Sequence, residues 1–284
     1  MADLKNKRII TVATTGAWPT KKNNPTLPTQ PDEIVEQIYQ CWKLGAAIAH
    51  VHIRDEQDGD SLDPKIFAKV VDGLHEKHPD CDVILNLTTA GGVTQPEEAR
   101  INVVKALKPE MASYDCGTAN WMHKWVFNNN TPFLCTLGDT MIELGCKPEV
   151  EVFDLAMIHE AKWILDEGHL LHPTHFQFCL GAAGGLPGNI ETVLYMRNTL
   201  RELIPDATWS AFGTGAASMP TAYAALSAGG NIRIGMEDNV YYRRGQLCEG
   251  NPQLIERAAR LVTEFGADIA TPAEAREMLG LAAK

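Results

Sequence analysis

Eight short apolar segments rich in β-branched residues recur along the chain, and segments of helical periodicity separate them. Strands that alternate with helices indicate repeated βα units and a parallel sheet. The spacing is even and no change of composition marks a second domain, so we predict one α/β domain, a (β/α)₈ TIM barrel over residues 1–284, rather than an open doubly wound sheet. The predicted strands are residues 8–13, 47–53, 82–87, 111–115, 132–136, 175–180, 208–212 and 231–236.

The helical segments carry ordinary start and stop signals. The first begins at Pro31 and ends before Gly45, which are the residues that suit a helix start and a helix stop. The loop before it, residues 14–30, is long and rich in Thr, Asn and Pro, so we expect a lid or a subunit contact there. The later helices are predicted over about residues 64–74, 96–107, 153–165, 190–203, 219–226, 253–265 and 272–279.

The composition restricts the partners and the compartment. A net charge of -11 argues against a surface for nucleic acid or an anionic membrane. Seven cysteines without a CxxC pair indicate reduced thiols, and we expect a cytoplasmic protein. We predict no membrane span, because no apolar run is long enough, and no secretory signal at residues 1–5, which lack its hydrophobic stretch.

Two histidines stand where the second predicted strand meets a polar loop. His50 and His52 are two residues apart, so on a strand both imidazoles share one face. Such a pair is half of a transition-metal site, and the third ligand must come from elsewhere. The alternative is a pair of solvated histidines at the edge of a loop.

The end of the eighth predicted strand supplies an arginine and two carboxylates. Arg233 points into the barrel if its apolar neighbours face the helices, and a buried guanidinium needs a carboxylate, for which Asp238 is the nearest candidate. Glu237 completes a set of two histidines and one glutamate, which leaves one position open, as a catalytic zinc site requires. The alternative is that both carboxylates cap the next helix.

Three glycine-rich segments follow other strands, at residues 87–92, 180–185 and 212–218. Glycine lets backbone N–H groups approach an anion closely, so together they suggest a phosphate-bearing ligand, although each one alone is also ordinary turn chemistry. Ser113, on the fourth strand, has a hydroxyl that can reach a substrate, or it can simply satisfy the backbone.

Six short motifs follow one another along the chain. They are HVHIRD at residues 50–55, TAGG at 89–92, PEMAS at 109–113, DCGT at 115–118, EVEVFD at 149–154 and RIGMEDN at 233–239. In this order they resemble the motifs of the beta-keto acid cleavage enzyme family. The resemblance implies a zinc-dependent barrel, usually a homotetramer, that converts a β-keto acid and acetyl-CoA into acetoacetate and a new acyl-CoA.

The resemblance also implies roles for individual residues. Zinc polarises the ketone of the keto acid, Asp238 removes a C2 proton, and Arg233 orients that carboxylate and keeps it ionised. The carbanion then attacks acetyl-CoA, and a retro-Claisen cleavage follows. The implied zinc ligands are His50, His52 and Glu237, and the residues implied to bind the keto acid are Thr89, Gly92 and Ser113.

The first loop departs from the family pattern. Members that act on amino-bearing substrates have a glutamate here, whereas this chain has Trp18 in the stretch TGAW at residues 15–18. We therefore expect Trp18 to be an apolar wall for an uncharged or aliphatic β-keto acid, with a quaternary ammonium on the indole as a lesser possibility. The alternative is a lid tryptophan that packs on a neighbouring subunit.

Two other function classes are considered. Another metal-dependent barrel enzyme, an amidohydrolase or a metal-assisted aldolase, would also use an HxH pair. However, an amidohydrolase normally has its HxH after the first strand and takes more histidines from later strand ends, which this chain lacks. A phosphate-binding module without catalysis would explain the glycines but would leave Arg233 and Asp238 unused.

Overall fold

The computed structural model describes residues 4–282, and its centre is a closed barrel of eight parallel strands. Each strand pairs with the next in sequence, and the eighth pairs with the first, which confirms the predicted barrel. Residues 1–3 and 283–284, at the ends of the predicted domain, lie outside the described residues. The barrel strands are β1 (Ile10–Ala13), β2 (Ile48–Val51), β3 (Ile84–Leu87), β4 (Met111–Asp115), β5 (Lys147–Val152), β6 (His175–Leu180), β7 (Thr208–Gly213) and β8 (Asn231–Ile234).

One helix follows each strand, and contacts between neighbouring helices surround the barrel, α8 packing against α1. Several helices begin at a side chain that accepts a backbone N–H, such as Asp63 for α2 and Asp154 for α5. Within residues 4–282 no helix is long and apolar enough to cross a membrane. The helices are α1 (Pro31–Lys43), α2 (Pro64–Lys77), α3 (Glu97–Leu107), α4 (Thr131–Leu144), α5 (Leu155–Asp166), α6 (Ile190–Leu203), α7 (Ser218–Ser227), α8 (Asn251–Glu264) and α9 (Pro272–Leu279).

The fifth predicted strand, residues 132–136, is wrong. This segment is the start of α4, where the side chain of Asn130 accepts a hydrogen bond from the backbone N–H of Phe133. The fifth strand is β5, which begins fifteen residues later. It was missed because its charged residues, Lys147, Glu149 and Glu151, are typical of an exposed loop. All of its residues are buried, so these polar side chains belong to the interior of the protein.

The terminal helix closes the amino-terminal end of the barrel. Leu279 and Ala275 of α9 join a buried apolar cluster with residues at the starts of the first four strands, including Ile84 and Met111. Arg276 of the same helix forms a partly buried ion pair with Glu110, with an Nε–Oε2 distance of 2.7 Å. This end is therefore filled, and the opposite end carries the long loops.

Three short antiparallel pairs of strands project from the carboxyl-terminal end. They follow β2, β4 and β8, and their strands are Ile53–Arg54 with Asp60–Ser61, Ala119–Trp121 with Trp125–Phe127, and Tyr241–Arg243 with Gln246–Leu247. The first pair supports the loop of residues 14–30. The buried guanidinium of Arg54 donates to the carbonyl oxygens of Gly16 and Pro19, both at 2.9 Å, and of Asp58, at 3.0 Å.

Candidate active site

His50, His52 and Glu237 converge at the carboxyl-terminal end of the barrel. His50 lies in β2 and His52 just past its end, while Glu237 follows β8. The Nε2 atoms of the two histidines lie 3.6 and 3.5 Å from Oε1 of Glu237. Because ligand bonds of about 2.0–2.2 Å at tetrahedral angles separate ligand atoms by about 3.3–3.6 Å, one ion could contact all three residues. The other oxygen of Glu237, Oε2, is buried and has no hydrogen-bond partner among the described residues.

A second carboxylate stands behind His50. Oε2 of Glu149 lies 3.8 Å from Nδ1 of His50 and accepts a 2.6 Å hydrogen bond from the amide of Asn86. A carboxylate behind the free nitrogen of a histidine is typical of metal ligands, since it fixes the orientation of the ring. Burial and the charge of Arg233 hold the pKa of His50 well below its usual range and lower the pKa of His52 to about 3. Both imidazoles are therefore neutral, which is the form that binds metals.

Arg233 is buried and holds three carboxylates. It binds Asp238 through two hydrogen bonds of 3.1 Å, from Nε and Nη2, and it also donates to Glu151 at 3.1 Å and to Glu237 at 2.5 Å. Its guanidinium lies 4.2 Å from the ring centroid of Phe212. Burial alone would lower the pKa of Arg233, but the carboxylates outweigh it and raise that pKa well above its usual value. The guanidinium thus stays charged and fixes the orientation of Asp238.

Carboxyl groups outnumber arginines in the buried cluster around Arg233. Two arginines form ion pairs here, Arg233 and also Arg100, whose Nη2 lies 3.5 Å from Asp115. Burial raises the pKa of each nearby carboxyl group, to about 7 for Glu149 and Asp238. A bound divalent cation would relieve the repulsion between these groups, so the residues present fit a metal ion. The carboxyl groups are Asp115, Glu149, Glu151, Glu237 and Asp238.

Residues predicted to bind the keto acid lie at the ends of β3 and β4. Thr89 and Ser113 are buried and form two hydrogen bonds with each other. The backbone N–H of Thr89 donates to the Ser113 hydroxyl at 3.0 Å, and the Thr89 hydroxyl donates to the Ser113 carbonyl oxygen at 2.9 Å. Gly92 lines the cavity together with the histidines and Arg233. The structure thus brings Gly92 to the cavity wall, with Thr89 and Ser113 paired behind it.

Trp18 lies at the mouth of this cavity, whose volume is about 110 Å³. Its ring centroid is 5.2 Å from that of Trp125 and 6.5 Å from that of Trp121, so the first loop meets the antiparallel pair that follows β4. Trp121 in turn packs edge-on against Phe153, with a centroid distance of 5.3 Å. We call Trp18, Trp121, Trp125 and Phe153 the aromatic wall.

Sequence reasoning missed several residues of the site. Glu149 and Glu151 were named only as part of a family motif, because the strand that carries them was not predicted. Their spacing of two residues, the same as in the HxH pair, is the signal that could have identified them. Arg54 was likewise named only as part of the HVHIRD motif. Arg100 was missed, and no local pattern in the sequence distinguishes it from an exposed arginine.

Comparisons with known proteins identify the family of this chain. A family model for the beta-keto acid cleavage enzyme matches residues 7–281, and the chain therefore belongs to that family. It is 37% identical over 278 residues to a 3-keto-5-aminohexanoate cleavage enzyme of Fusobacterium nucleatum, with 98% of this chain and 99% of the relative covered. The enzyme of the same name from Acetoanaerobium sticklandii is 36% identical over 275 residues, which is 97% of this chain and 98% of the relative.

Another relative carries a different substrate in its name. The 3-oxoadipate:acetyl-CoA acetyltransferase of Cupriavidus necator is 34% identical over 273 residues, covering 96% of this chain and 94% of its own length. Among solved structures, apo ObcA superposes with a TM-score of 0.77 and 22% identity, over 90% of this chain and 66% of that one. At that identity the likeness shows the shared fold alone.

Proposed function

We propose that this protein is a zinc-dependent acyltransferase that converts a β-keto acid and acetyl-CoA into acetoacetate and a new acyl-CoA. The observation that carries the proposal is the convergence of His50, His52 and Glu237 next to the pair formed by Arg233 and Asp238. Family membership supports it, and so does the acetyl-CoA in the name of the relative from Cupriavidus necator. An amidohydrolase or aldolase would need the same histidines, but the family match does not favour either.

Zinc would be held by His50, His52 and Glu237 and would supply Lewis-acid polarisation of the substrate ketone. Orientation of the base and proton transfer depend on residues of the chain. Arg233 binds both carboxylate oxygens of Asp238, which fixes the orientation of this group at the cavity wall and opposes the rise in its pKa that burial causes. Asp238 is therefore the group that removes the C2 proton of the keto acid.

The carbon–carbon bonds that form and break follow from that proton transfer. The C2 carbanion forms a bond to the thioester carbonyl of acetyl-CoA, and the CoA thiolate leaves. The thiolate then attacks the original ketone carbon, the bond between that carbon and C2 breaks, and the new acyl-CoA separates. The acetoacetate carbanion recovers its proton from Asp238. In this scheme the substrate carboxylate is positioned by Gly92, Thr89 and Ser113. To reach the substrate, Thr89 and Ser113 exchange part of the hydrogen bonding between them for hydrogen bonds to the carboxylate.

The proton transfer is tested by Asp238→Asn. We expect kcat to fall by about 100- to 10,000-fold, since a general base contributes about that much, while the zinc content stays the same. Exchange of the C2 protons of the keto acid with D2O, followed by NMR without acetyl-CoA, isolates this step. Asp72→Asn, at an exposed position on α2, is the matched control. Normal exchange in Asp238→Asn would show that another group is the base.

The metal site is tested by removing ligands. His50→Ala and Glu237→Gln should each lose bound zinc, measured by mass spectrometry of the purified protein, and lose C2 exchange with it, while circular dichroism stays unchanged. His159→Ala, at an exposed position on α5, should keep both. Full zinc content in both ligand variants would overturn the ligand assignment.

We also propose that the aromatic wall selects a β-keto acid with an uncharged, apolar tail. Trp18, Trp121 and Phe153 line the cavity, and Trp125 packs against Trp18. By family resemblance, amino-specific members have a glutamate in the first loop, where this chain has Trp18. Lys124 already places its ammonium 5.7 Å from the ring centroid of Trp125, so a second cation on that ring would be repelled.

The tail preference is tested with straight-chain β-keto acids of increasing length. Trp18→Ala should raise KM for the long-chain acids by about tenfold, because it removes apolar contact, and should leave the shortest acid unaffected. The control is Trp163→Ala, since Trp163 is 49% exposed and Trp18 is 45% exposed. A preference of the natural protein for a quaternary-ammonium acid, or an equal loss for short and long acids, would contradict this proposal.

We further propose that the protein works in the cytoplasm as a homo-oligomer, a tetramer by family resemblance. The support for the compartment is that all seven cysteines are free thiols, six of them buried. Sedimentation of the purified protein at working concentration tests the oligomer.

A further inference from the structure

A second cavity, of about 860 Å³, opens beside the catalytic cavity at the same end of the barrel. Three arginines line it: Arg243 and Arg244, on the antiparallel pair that follows β8, and Arg257, on α8. No carboxylate is among the described residues that line it. In a chain with a net charge of -11, such a concave surface with three positive charges is a strong departure from the rest of the molecule.

The three guanidinium groups are not neutralised by ion pairs with other described residues. Arg243 donates to the amide oxygen of Gln246 at 2.6 Å, and Arg257 donates to the backbone carbonyl of Tyr242 at 2.5 Å and lies 5.0 Å from its ring centroid. These neutral partners fix the positions of Arg243 and Arg257 but do not neutralise their positive charge. A ligand with several negative charges would find partners already positioned here.

The arginine cavity and the catalytic cavity share a wall. Thr214 lines the catalytic cavity and the next residue, Gly215, lines the arginine cavity; Asp238 and Asn239 are divided in the same way. The backbone N–H of Gly215 donates to the carbonyl of Asp238 at 2.8 Å, which joins the two segments of this wall. A long ligand could therefore lie across the wall, with one end at Asp238 and the other among the arginines.

The glycine-rich segment of residues 212–218 forms part of this wall. Gly215 has a φ of +55°, which favours glycine, and a Cβ there would meet only open space. The backbone next to the cavity is consequently uncovered by side chains. Barrels often bind phosphate at the loops after their seventh and eighth strands, and most of the residues that line the arginine cavity belong to these two loops.

From these observations we infer that the arginine cavity binds the phosphates of the nucleotide portion of acetyl-CoA, with the pantetheine arm crossing the shared wall to bring the thioester to Asp238. The inference rests on the proposed function for the identity of the co-substrate. It assigns Arg243, Arg244 and Arg257 as residues that bind the co-substrate and have no part in the chemistry.

The test compares two thioesters in the zinc-loaded protein. Acetyl-CoA has the nucleotide, whereas the acetyl thioester of N-acetylcysteamine has the same reactive group without it. The double variant R243A/R244A should raise KM for acetyl-CoA by about 10- to 100-fold, because charge-assisted hydrogen bonds to phosphate are lost. Its kcat/KM with the short thioester and its KM for the keto acid should equal those of the natural protein.

The control removes the same charge elsewhere. K105A/R201A takes one exposed cation from α3 and one from α6, and it should leave both thioesters unaffected. R243K/R244K should recover most of the affinity for acetyl-CoA, since charge is kept. An unchanged KM for acetyl-CoA in R243A/R244A, an equal loss with both thioesters, or the same loss in the control would overturn the inference.

Two measurements separate this inference from the proposed function. Calorimetric titration with adenosine 3′,5′-bisphosphate requires no catalysis, and we expect binding to the natural protein that weakens at least tenfold in R243A/R244A. Exchange of C2 protons requires no acetyl-CoA and reports on the proposed function alone. If exchange occurs and the bisphosphate does not bind, the arginine cavity is wrongly assigned and the proposed function is unaffected. If the natural protein binds the bisphosphate but shows no exchange, the proposed function fails and the nucleotide site stands.

Discussion

His50 shows why single residues in this site cannot be interpreted from their neighbours in sequence. Its Nε2 atom faces Glu237, from the other end of the chain, and its Nδ1 atom faces Glu149, from the opposite part of the barrel. The HxH pair predicted a metal ligand facing inward. The carboxylate behind the ring was not predicted, because it requires knowing that β5 faces β2 across the interior.

Glycine at position 16 is a second case at this scale. Gly16 has a φ of +67°, and a Cβ built there would lie 2.5 Å from Cγ of Glu237. Any other side chain would strain the backbone and displace a proposed zinc ligand. The loop that lacks the family's glutamate is therefore still packed tightly against the metal site.

His175 provides a test of stability against pH. It is buried at the start of β6, where its ring nitrogens meet the hydroxyls of Thr208, at 2.8 Å, and Ser210, at 3.3 Å. Burial, aided by the charge of Lys147, lowers its pKa from 6.5 to about 3. Between these values the unfolded chain binds the proton and the folded protein does not, so stability falls as the pH falls through this window.

The expected outcome is a change of slope. His175→Gln should reduce the dependence of the unfolding free energy on pH by up to about 1.4 kcal/mol per pH unit between about pH 6 and pH 4. Urea unfolding at a series of pH values measures it. His159→Gln, at an exposed position, should keep the slope of the natural protein. Identical slopes for all three proteins would contradict a neutral, buried His175.

At the scale of elements, the first loop depends on one arginine. Arg54 donates to three backbone carbonyls, two of them in the loop of residues 14–30 that carries Trp18. Its removal leaves those carbonyls without their donor, at a cost of about 1–3 kcal/mol each if they stay buried. The loop is thus held in place from the short antiparallel pair that follows β2, the strand that supplies His50.

Arg54→Ala should loosen this loop without unfolding the barrel. We expect trypsin to cleave after Lys21 and Lys22 at least several-fold faster, and kcat/KM to fall by about tenfold because Trp18 and Gly16 lose their fixed positions. Arg201→Ala, at an exposed position on α6, is the control. Unchanged cleavage in Arg54→Ala would show that the other contacts of the loop suffice to hold it.

The error over the fifth strand also belongs to this scale. The segment at residues 132–136 is apolar enough for a strand, but Asn130 caps a helix there and the helix buries Phe133 and Leu134. β5 has charged residues at alternate positions and looks exposed in the sequence. The glutamates of this strand have buried polar partners, Asn86 and Arg233, so the rule that buried strands are apolar fails here.

For the whole molecule, the packed closure and the proposed active site lie at opposite ends of the barrel. The amino-terminal end is filled by α9, with Leu279 fully buried, and the carboxyl-terminal end carries the site. Leu279→Ala should lower the free energy of unfolding by about 2–5 kcal/mol, through lost burial and a cavity, and leave both KM values unchanged.

Urea unfolding and steady-state kinetics on the same preparation measure the two effects of this substitution. Leu247→Ala, where the leucine is 39% exposed, should cost far less stability. A change in KM with Leu279→Ala would mean that packing at the closed end is coupled to the site.

The sequence by itself determined the repeat of βα units, the order of the motifs and the family, because hydrophobic periodicity and short motifs are local properties of the chain. It also placed His50 and Glu237 at strand ends, and the ends of parallel strands meet. Only the tertiary structure decided that Glu149 stands behind His50, that Trp18 meets Trp121, and that three arginines share one cavity. Those contacts join residues far apart in the chain, and they exist only because closure of the barrel sets which strands and loops face one another.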